Sequence, residues 1–152
     1  MRTAISPLDP AIGPIRDASR HLVRELGFMR PTLAGTDLPP SAVHALVEIG
    51  ARTSMTAGEL CDTLILEKSS VSRMVRKLVE AGELVESTSR EDGRAKLLSL
   101  TLRGRATLAR IDEFARRQVA AALQRMPPAA RHGLAASLAA YARALQASRR
   151  DE

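Results

Sequence analysis

Residues 56–101 read TAGELCDTLILEKSSVSRMVRKLVEAGELVESTSREDGRAKLLSLT, and this stretch decides the fold. It opens with the pattern Thr-x-x-Glu. In this capping box the Thr56 hydroxyl accepts a hydrogen bond from the third helical amide, and the Glu59 carboxylate accepts one from the threonine amide. The pattern predicts a short helix that begins at Thr56 and ends near Leu64. After a few turn residues a longer helix is expected.

The longer helix, predicted over residues 68–81 with its end at Gly82, has two chemically different faces. Apolar residues at intervals of three and four form one stripe for burial: Val71, Met74, Val75, Leu78 and Val79. The opposite face carries hydroxyls and cations: Lys68, Ser69, Ser70, Ser72, Arg73, Arg76 and Lys77. Short hydroxyl side chains let a helix approach bases and phosphates, and the cations reach guanine edges or neutralise phosphates. A solvated amphipathic helix of any small α protein explains the same pattern equally well.

A charged hairpin after this helix favours the DNA-binding interpretation. Residues 84–88 and 95–100 have strand character, and the pair Asp92-Gly93 between them is a strong turn signal. Arg90 and Arg94 stand on the turn, where a wing enters the minor groove of DNA. Asp92 is placed to hold Arg94 by a charge-assisted hydrogen bond. Since a basic helix and such a hairpin rarely coincide by chance, the pair predicts a winged helix-turn-helix that binds double-stranded DNA.

Helices are also predicted on both sides of this region. The apolar spacing and the caps place them over residues 9–26, 40–50, 102–126 and from Pro128 onward. Asp9 is expected to cap the first of them and Thr101 the third. The predicted fold class is mainly α, with a small β-hairpin wing and long N- and C-terminal helices.

The composition agrees with a soluble DNA-binding domain. The 152 residues are 45% hydrophobic and 2% aromatic, with a net charge of +6. This charge suits a polyanion, but by itself it does not distinguish DNA from RNA or a membrane surface. The sequence has neither the apolar core of a signal peptide nor an apolar run long enough to span a membrane, so a cytoplasmic protein is expected.

The sequence also argues against an enzyme and against a bound cofactor. It contains no phosphate-binding glycine loop, no Gly-x-Ser-x-Gly elbow and no His-Glu-x-x-His motif. A single cysteine, Cys61, allows no intrachain disulfide and no cysteine-based zinc site. It is interpreted as a buried structural thiol. His21, His44 and His132 fall on three different predicted helices, so no metal site is expected.

Two runs of this sequence resemble the multiple-antibiotic-resistance regulator (MarR) family. One run holds Ser-x-Val-Ser-Arg at residues 69–73, with leucine and glycine downstream. The other holds Asp-x-Arg at residues 92–94, followed by Leu-Ser-Leu-Thr at residues 98–101. The resemblance is close over residues 38–108. One departure is Leu102, where many members have proline.

The resemblance implies a dimeric winged-helix regulator, typically a repressor, that small anionic or phenolic ligands or cysteine oxidation often release from DNA. It implies that the polar face of residues 68–77 is the recognition surface and that Arg94 is the wing arginine held by Asp92. One MarR-type domain is expected over residues 1–152. Its DNA-binding lobe would cover residues 38–101, and residues 8–30 and 102–148 would form dimerisation helices.

The expected partners are thus double-stranded DNA, a second copy of the chain in a homodimer, and a small-molecule effector. No binding to a membrane is expected. Phe28, His44 and Phe114 could line the effector pocket, although core packing explains the same residues. A narrower resemblance points to MarR-type domains that are fused to GNAT-type acetyltransferases, and these 152 residues would then be the regulatory half of such a fusion. A basic protein-interaction module is the remaining alternative.

Overall fold

The computed structural model describes residues 4–88, 91 and 93–152. The chain forms two compact units, Met1–Phe114 and Ala115–Glu152. In chain order the elements are α1 Ile12–Glu25, α2 Pro40–Arg52, β1 Ser54–Thr56, α3 Ala57–Leu64, α4 Lys68–Glu80, β2 Leu84–Thr88, β3 Lys96–Leu100, α5 Leu102–Arg125, α6 Pro128–Arg131 and α7 Leu134–Arg150. The structure confirms the mainly α class with a small β-hairpin wing.

The capping box at the start of α3 is formed as predicted. The Thr56 hydroxyl accepts from the Glu59 amide at 3.1 Å, and the Glu59 carboxylate accepts from the Thr56 amide at 2.8 Å. Because both partners lie within four residues of each other, the sequence pattern alone determines where α3 begins.

A three-stranded antiparallel sheet with the order β1-β3-β2 carries the wing. In the β2–β3 hairpin Leu84 lies opposite Leu100 and Thr88 opposite Lys96. The sequence did not predict β1, because three residues are too few to show an alternation. β1 pairs with the edge of β3 that does not face β2. Strand pairing therefore connects the wing to the segment that directly precedes α3.

The core of the Met1–Phe114 unit lies between α2, α3, α4 and the sheet. Its largest fully buried side chains come from all of these elements: Leu46, Ile49, Met55, Leu60, Val71, Leu78 and Leu98. Aliphatic side chains and methionine therefore fill the core.

Three predicted helix boundaries need correction. α1 begins at Ile12, because the Asp9 carboxylate accepts from the Ala11 amide at 2.8 Å and so forms a turn before the helix. α2 continues through Gly50 to Arg52. Gly50 is not a helix stop, and its lack of a side chain serves close packing, because a Cβ there would lie 2.4 Å from Leu108 Cδ2. The single helix expected after Pro128 is broken at Gly133.

Gly133 adopts a φ of +78°, which ends α6 and makes this residue the N-cap of α7. This conformation favours glycine and does not occur inside an α-helix.

In the part of the chain that the structure describes, no helix combines the length and the apolar character that a membrane crossing needs.

Candidate nucleic-acid interface

α4 presents the predicted polar face to solvent. The buried side of the helix carries Val71, Val75 and Leu78, with Met74 and Val79 half-buried beside them. Of the candidate residues, Lys68, Ser69, Ser72, Arg73, Arg76 and Lys77 are exposed, whereas Ser70 is half-buried. The predicted division of the helix into two faces is therefore present in the structure.

The first turn of α4 is open to an anion. Its N-cap is Glu67, whose side chain makes no capping hydrogen bond, and the first turn contains no acidic residue. The amides at a helix N-terminus carry partial positive charge and bind phosphate readily. Along the same face the Arg73 guanidinium donates to the Ser70 hydroxyl at 3.5 Å. The helix therefore combines amides, hydroxyls and cations that suit a polyanion.

The wing follows α4 as the β2–β3 hairpin. Lys96 at the start of β3 forms an ion pair with Glu86 on β2 at 3.6 Å, which ties the two strands together by their side chains. Arg94 lies just before β3 and is exposed. Arg90 and Asp92 lie outside the described residues, so the hydrogen bond expected between Asp92 and Arg94 stays a prediction.

A junction at the base of the wing joins α4 to α5, and only one of its contacts is predictable from the sequence. The predicted capping role of Thr101 is confirmed, because its hydroxyl accepts from the Gly104 amide at 3.0 Å. The same hydroxyl donates to the Gly82 carbonyl. The Thr101 amide donates to the Glu83 carbonyl at 3.1 Å. These contacts hold the end of α4, the start of β2 and the first turn of α5 together.

Glu83 is the buried member of this junction. Only 5% of the residue is exposed. Its Oε1 accepts from Arg103 Nε at 3.4 Å, and its Oε2 is buried with no hydrogen-bond partner among the described residues. No sequence signal indicated this burial, because the residues that contact Glu83 lie about twenty positions further along the chain.

The residues proposed for an effector pocket are partly brought together. The rings of Phe28 and His44 lie 5.0 Å apart with a tilt of 35°. Phe114, which is 41% exposed, has its Cδ2 3.8 Å from the position that a Cβ on Gly35 would take. The pocket itself stays a prediction, because packing of two rings explains the Phe28–His44 contact without a ligand.

The remaining singled-out residues have ordinary surroundings. Cys61 is a free thiol that is half-buried rather than buried, and it packs against the core. His21 faces Glu25 at 3.3 Å on the solvent side of α1. Within the described ranges no group of three or more His, Cys, Asp or Glu residues is arranged to hold a metal ion.

This arrangement defines a winged helix-turn-helix, in which a capped bracing helix supports α4 and a β-hairpin follows it. Residues 36–95 match the sequence model of the MarR family. No curated protein matches the chain.

Several solved structures share the fold. RV1404 from Mycobacterium tuberculosis is 27% identical, with a TM-score of 0.73 over 93% of this chain and 95% of that one. A probable transcriptional regulator from Pseudomonas aeruginosa is 26% identical, with a TM-score of 0.68 over 88% and 98%. FabT from Streptococcus pneumoniae, solved in complex with DNA, is 19% identical, with a TM-score of 0.76 over 89% and 97%, which is a likeness of fold. The protein therefore has the fold of MarR-type transcriptional regulators.

Proposed function

We propose that this protein is a sequence-specific regulator of transcription that binds double-stranded DNA as a homodimeric repressor. The observation that carries the proposal is the face of α4, where Lys68, Arg73, Arg76 and Lys77 are exposed on a helix whose other side is buried in the core. Such a helix can enter a major groove without loss of core packing. The bound dimer would block polymerase sterically.

The candidate residues divide into two roles. Arg73 and Arg76 lie near the middle of α4 and are assigned to base edges, with Ser69, Ser70 and Ser72 at the closest approach of helix and DNA. Arg94 on the wing is assigned to the minor groove and its phosphates, together with Arg90 and Asp92. Contacts to bases give sequence preference, whereas contacts to phosphates give affinity that falls with salt.

The terminal helices support the proposal of a dimer. α1 buries none of its residues and exposes Ile15, Leu22 and Val23 by 42–46%. In the Ala115–Glu152 unit, α7 likewise buries none and exposes Leu138, Tyr141 and Leu145. Apolar stripes of this kind usually mark an interface. We therefore assign residues 8–30 and 102–148 to dimerisation and residues 38–101 to DNA, within one MarR-type domain.

A homodimer implies an operator with matching symmetry. Two copies of α4 would occupy successive major grooves on a pseudo-palindromic site, with half-sites about 10 base pairs apart. Light scattering at micromolar concentration is expected to give the mass of a dimer. A monomer at that concentration would contradict both the dimer and the symmetric operator.

Binding to DNA is tested with a duplex enriched from a random-sequence pool by the wild-type protein. Arg73→Ala is expected to weaken binding to this duplex by about 1–3 kcal/mol and to flatten the sequence preference at one position. Arg149→Ala, which removes the same charge from the exposed end of α7, is the matched control and should retain sequence preference. If the two variants lose affinity equally, α4 does not read bases.

The two alternatives predict different results. A protein-interaction module would bind no duplex even at low salt, where non-specific electrostatic binding to DNA is strongest. If these residues are the regulatory half of an acetyltransferase fusion, the codons that follow Glu152 in the source genome will encode the acetyltransferase domain. The match covers 95% of the RV1404 chain and 98% of the Pseudomonas aeruginosa chain. Neither of these chains leaves room for an additional acetyltransferase domain, so these two structures do not support a fusion.

A further inference from the structure

Among the described residues, α1, α3 and α4 each end with the same long backward hydrogen bond across a left-handed residue, which is glycine in α1 and α4 but not in α3. In a Schellman motif the residue after the helix adopts a left-handed conformation, and the next amide bonds back to a carbonyl five residues earlier. At the end of α1 the Phe28 amide donates to the Val23 carbonyl at 3.3 Å, and Gly27 has a φ of +88°. At the end of α4 the Glu83 amide donates to the Leu78 carbonyl at 2.9 Å, and Gly82 has a φ of +76°.

The end of α3 has this motif with isoleucine in the glycine position. The Leu66 amide donates to the Cys61 carbonyl at 3.1 Å, and Ile65 between them adopts φ 57° and ψ 48°. A β-branched residue in the left-handed region is a conformational outlier, because its side chain crowds the backbone. Glycine would adopt the same conformation without that cost.

Burial does not compensate for this strain. Ile65 is 61% exposed, so its side chain gains little from leaving water. Its neighbours Leu64 and Leu66 are the residues that pack against the core at this turn. The fold of the isolated chain therefore gives no reason for an isoleucine at position 65, and an outlier of this kind points to a function.

The location of Ile65 indicates what that function is. It stands in the turn of the helix-turn-helix, three residues before Lys68, the first residue of α4. Lys68 and Ser69 are exposed at the same end of the helix, which is the end that suits phosphate. We infer that Ile65 makes an apolar contact to DNA, through a thymine methyl group or a deoxyribose carbon, and that the strain is retained for this contact. The inference rests on the proposed function.

The test compares stability and affinity in the same variants. Ile65→Gly and Ile65→Asn place residues that tolerate the left-handed region at this turn. Both variants are expected to melt at or above the wild-type temperature and to bind the selected duplex about five- to tenfold more weakly, as loss of an apolar contact implies. Ile5→Gly is the matched control, because Ile5 is 74% exposed and has no positive φ, and it should change neither quantity.

Duplexes with deoxyuridine in place of thymine distinguish the two possible contacts. If Ile65 touches a thymine methyl, this replacement weakens binding of the wild type but not of Ile65→Gly. If it touches deoxyribose, the replacement affects both proteins equally and the loss in Ile65→Gly remains.

Two results would overturn the inference while the proposed function stands. One is binding of the selected duplex by Ile65→Gly and Ile65→Asn within twofold of the wild type. The other is a melting temperature several degrees lower in both variants, which would show that the isoleucine serves the fold. If the wild type binds no duplex at low salt, the proposed function itself fails.

Discussion

Replacement of Gly104 by alanine is expected to destabilise the protein strongly, although alanine is the better helix former. Gly104 lies in the first turn of α5, and a Cβ there would stand 2.1 Å from the Glu83 carbonyl oxygen and 3.1 Å from its carbonyl carbon. Real Cβ atoms essentially never approach another heavy atom within 3.0 Å, so the two backbones must separate by about 0.9 Å. Because the contact is to backbone, no side-chain rotation relieves it.

The magnitude follows from what this separation breaks. The Thr101 amide bond to the Glu83 carbonyl and the Thr101 hydroxyl bond to the Gly82 carbonyl cross the junction, and each contributes about 1 kcal/mol. Overpacking adds about 1–3 kcal/mol, and the better helix propensity of alanine offsets about 1 kcal/mol. We expect a net loss of about 2–4 kcal/mol in the free energy of unfolding.

Urea denaturation followed by circular dichroism measures this loss. Gly58→Ala is the matched control. Gly58 also lies in a first helical turn, but its Cβ would meet its nearest neighbour, the Thr56 hydroxyl, at an ordinary 3.9 Å. This variant should be as stable as the wild type or slightly more so. Surface substitutions that do no harm usually change the free energy of unfolding by no more than about 0.5 kcal/mol. A change of that size or smaller in Gly104→Ala would refute the described packing of α5 against the base of the wing.

Further predictions concern the cap, the core, the wing and the effector. Thr56→Ala should lower stability by about 1 kcal/mol in urea denaturation, because it removes the hydroxyl of the capping box. Leu46→Ala should cost about 2–5 kcal/mol in the same assay, since Leu46 is fully buried. Arg94→Ala should weaken DNA binding evenly across sequences and make the salt dependence shallower by about one phosphate contact, as measured by titration at several salt concentrations. A salicylate-like anion at low millimolar concentration should raise the melting temperature little, because the chain offers few aromatic rings for stacking; a rise of several degrees would contradict this.

The helix-turn-helix was predictable because its determinants are local. The Thr56–Glu59 capping box and the apolar stripe of α4 involve residues within one or two turns of each other, and the structure confirms both. The strand β1 was not predictable, because Met55 joins the sheet through a partner more than forty residues away, Leu98. Gly50 was misjudged as a helix end for the same reason, since the close approach of Leu108, which leaves no room for a Cβ there, is a tertiary contact.

In the candidate site, too, the features that depend on local sequence were predictable and those that depend on distant residues were not. The exposed cations of α4 follow from helical periodicity, and the Asp92-Gly93 turn signal correctly indicated a hairpin between residues 84 and 100. The role of Glu83 could not be read from the sequence, because its burial depends on Thr101 and Arg103, which only the hairpin brings to it. Local patterns thus identify the exposed surface that we assign to DNA, whereas tertiary contacts determine how the wing is held beside it.

Local rules of stability are broken at both ends of α4. Before the helix, Ile65 occupies a left-handed position that glycine fills without strain, and after it Glu83 buries a carboxylate oxygen without a partner among the described residues. A sequence selected for stability alone would remove both features, by glycine at position 65 and an apolar residue at position 83. Proteins usually violate such rules where function requires it. The two violations stand on either side of the helix that carries the exposed cations, next to the surface assigned to DNA.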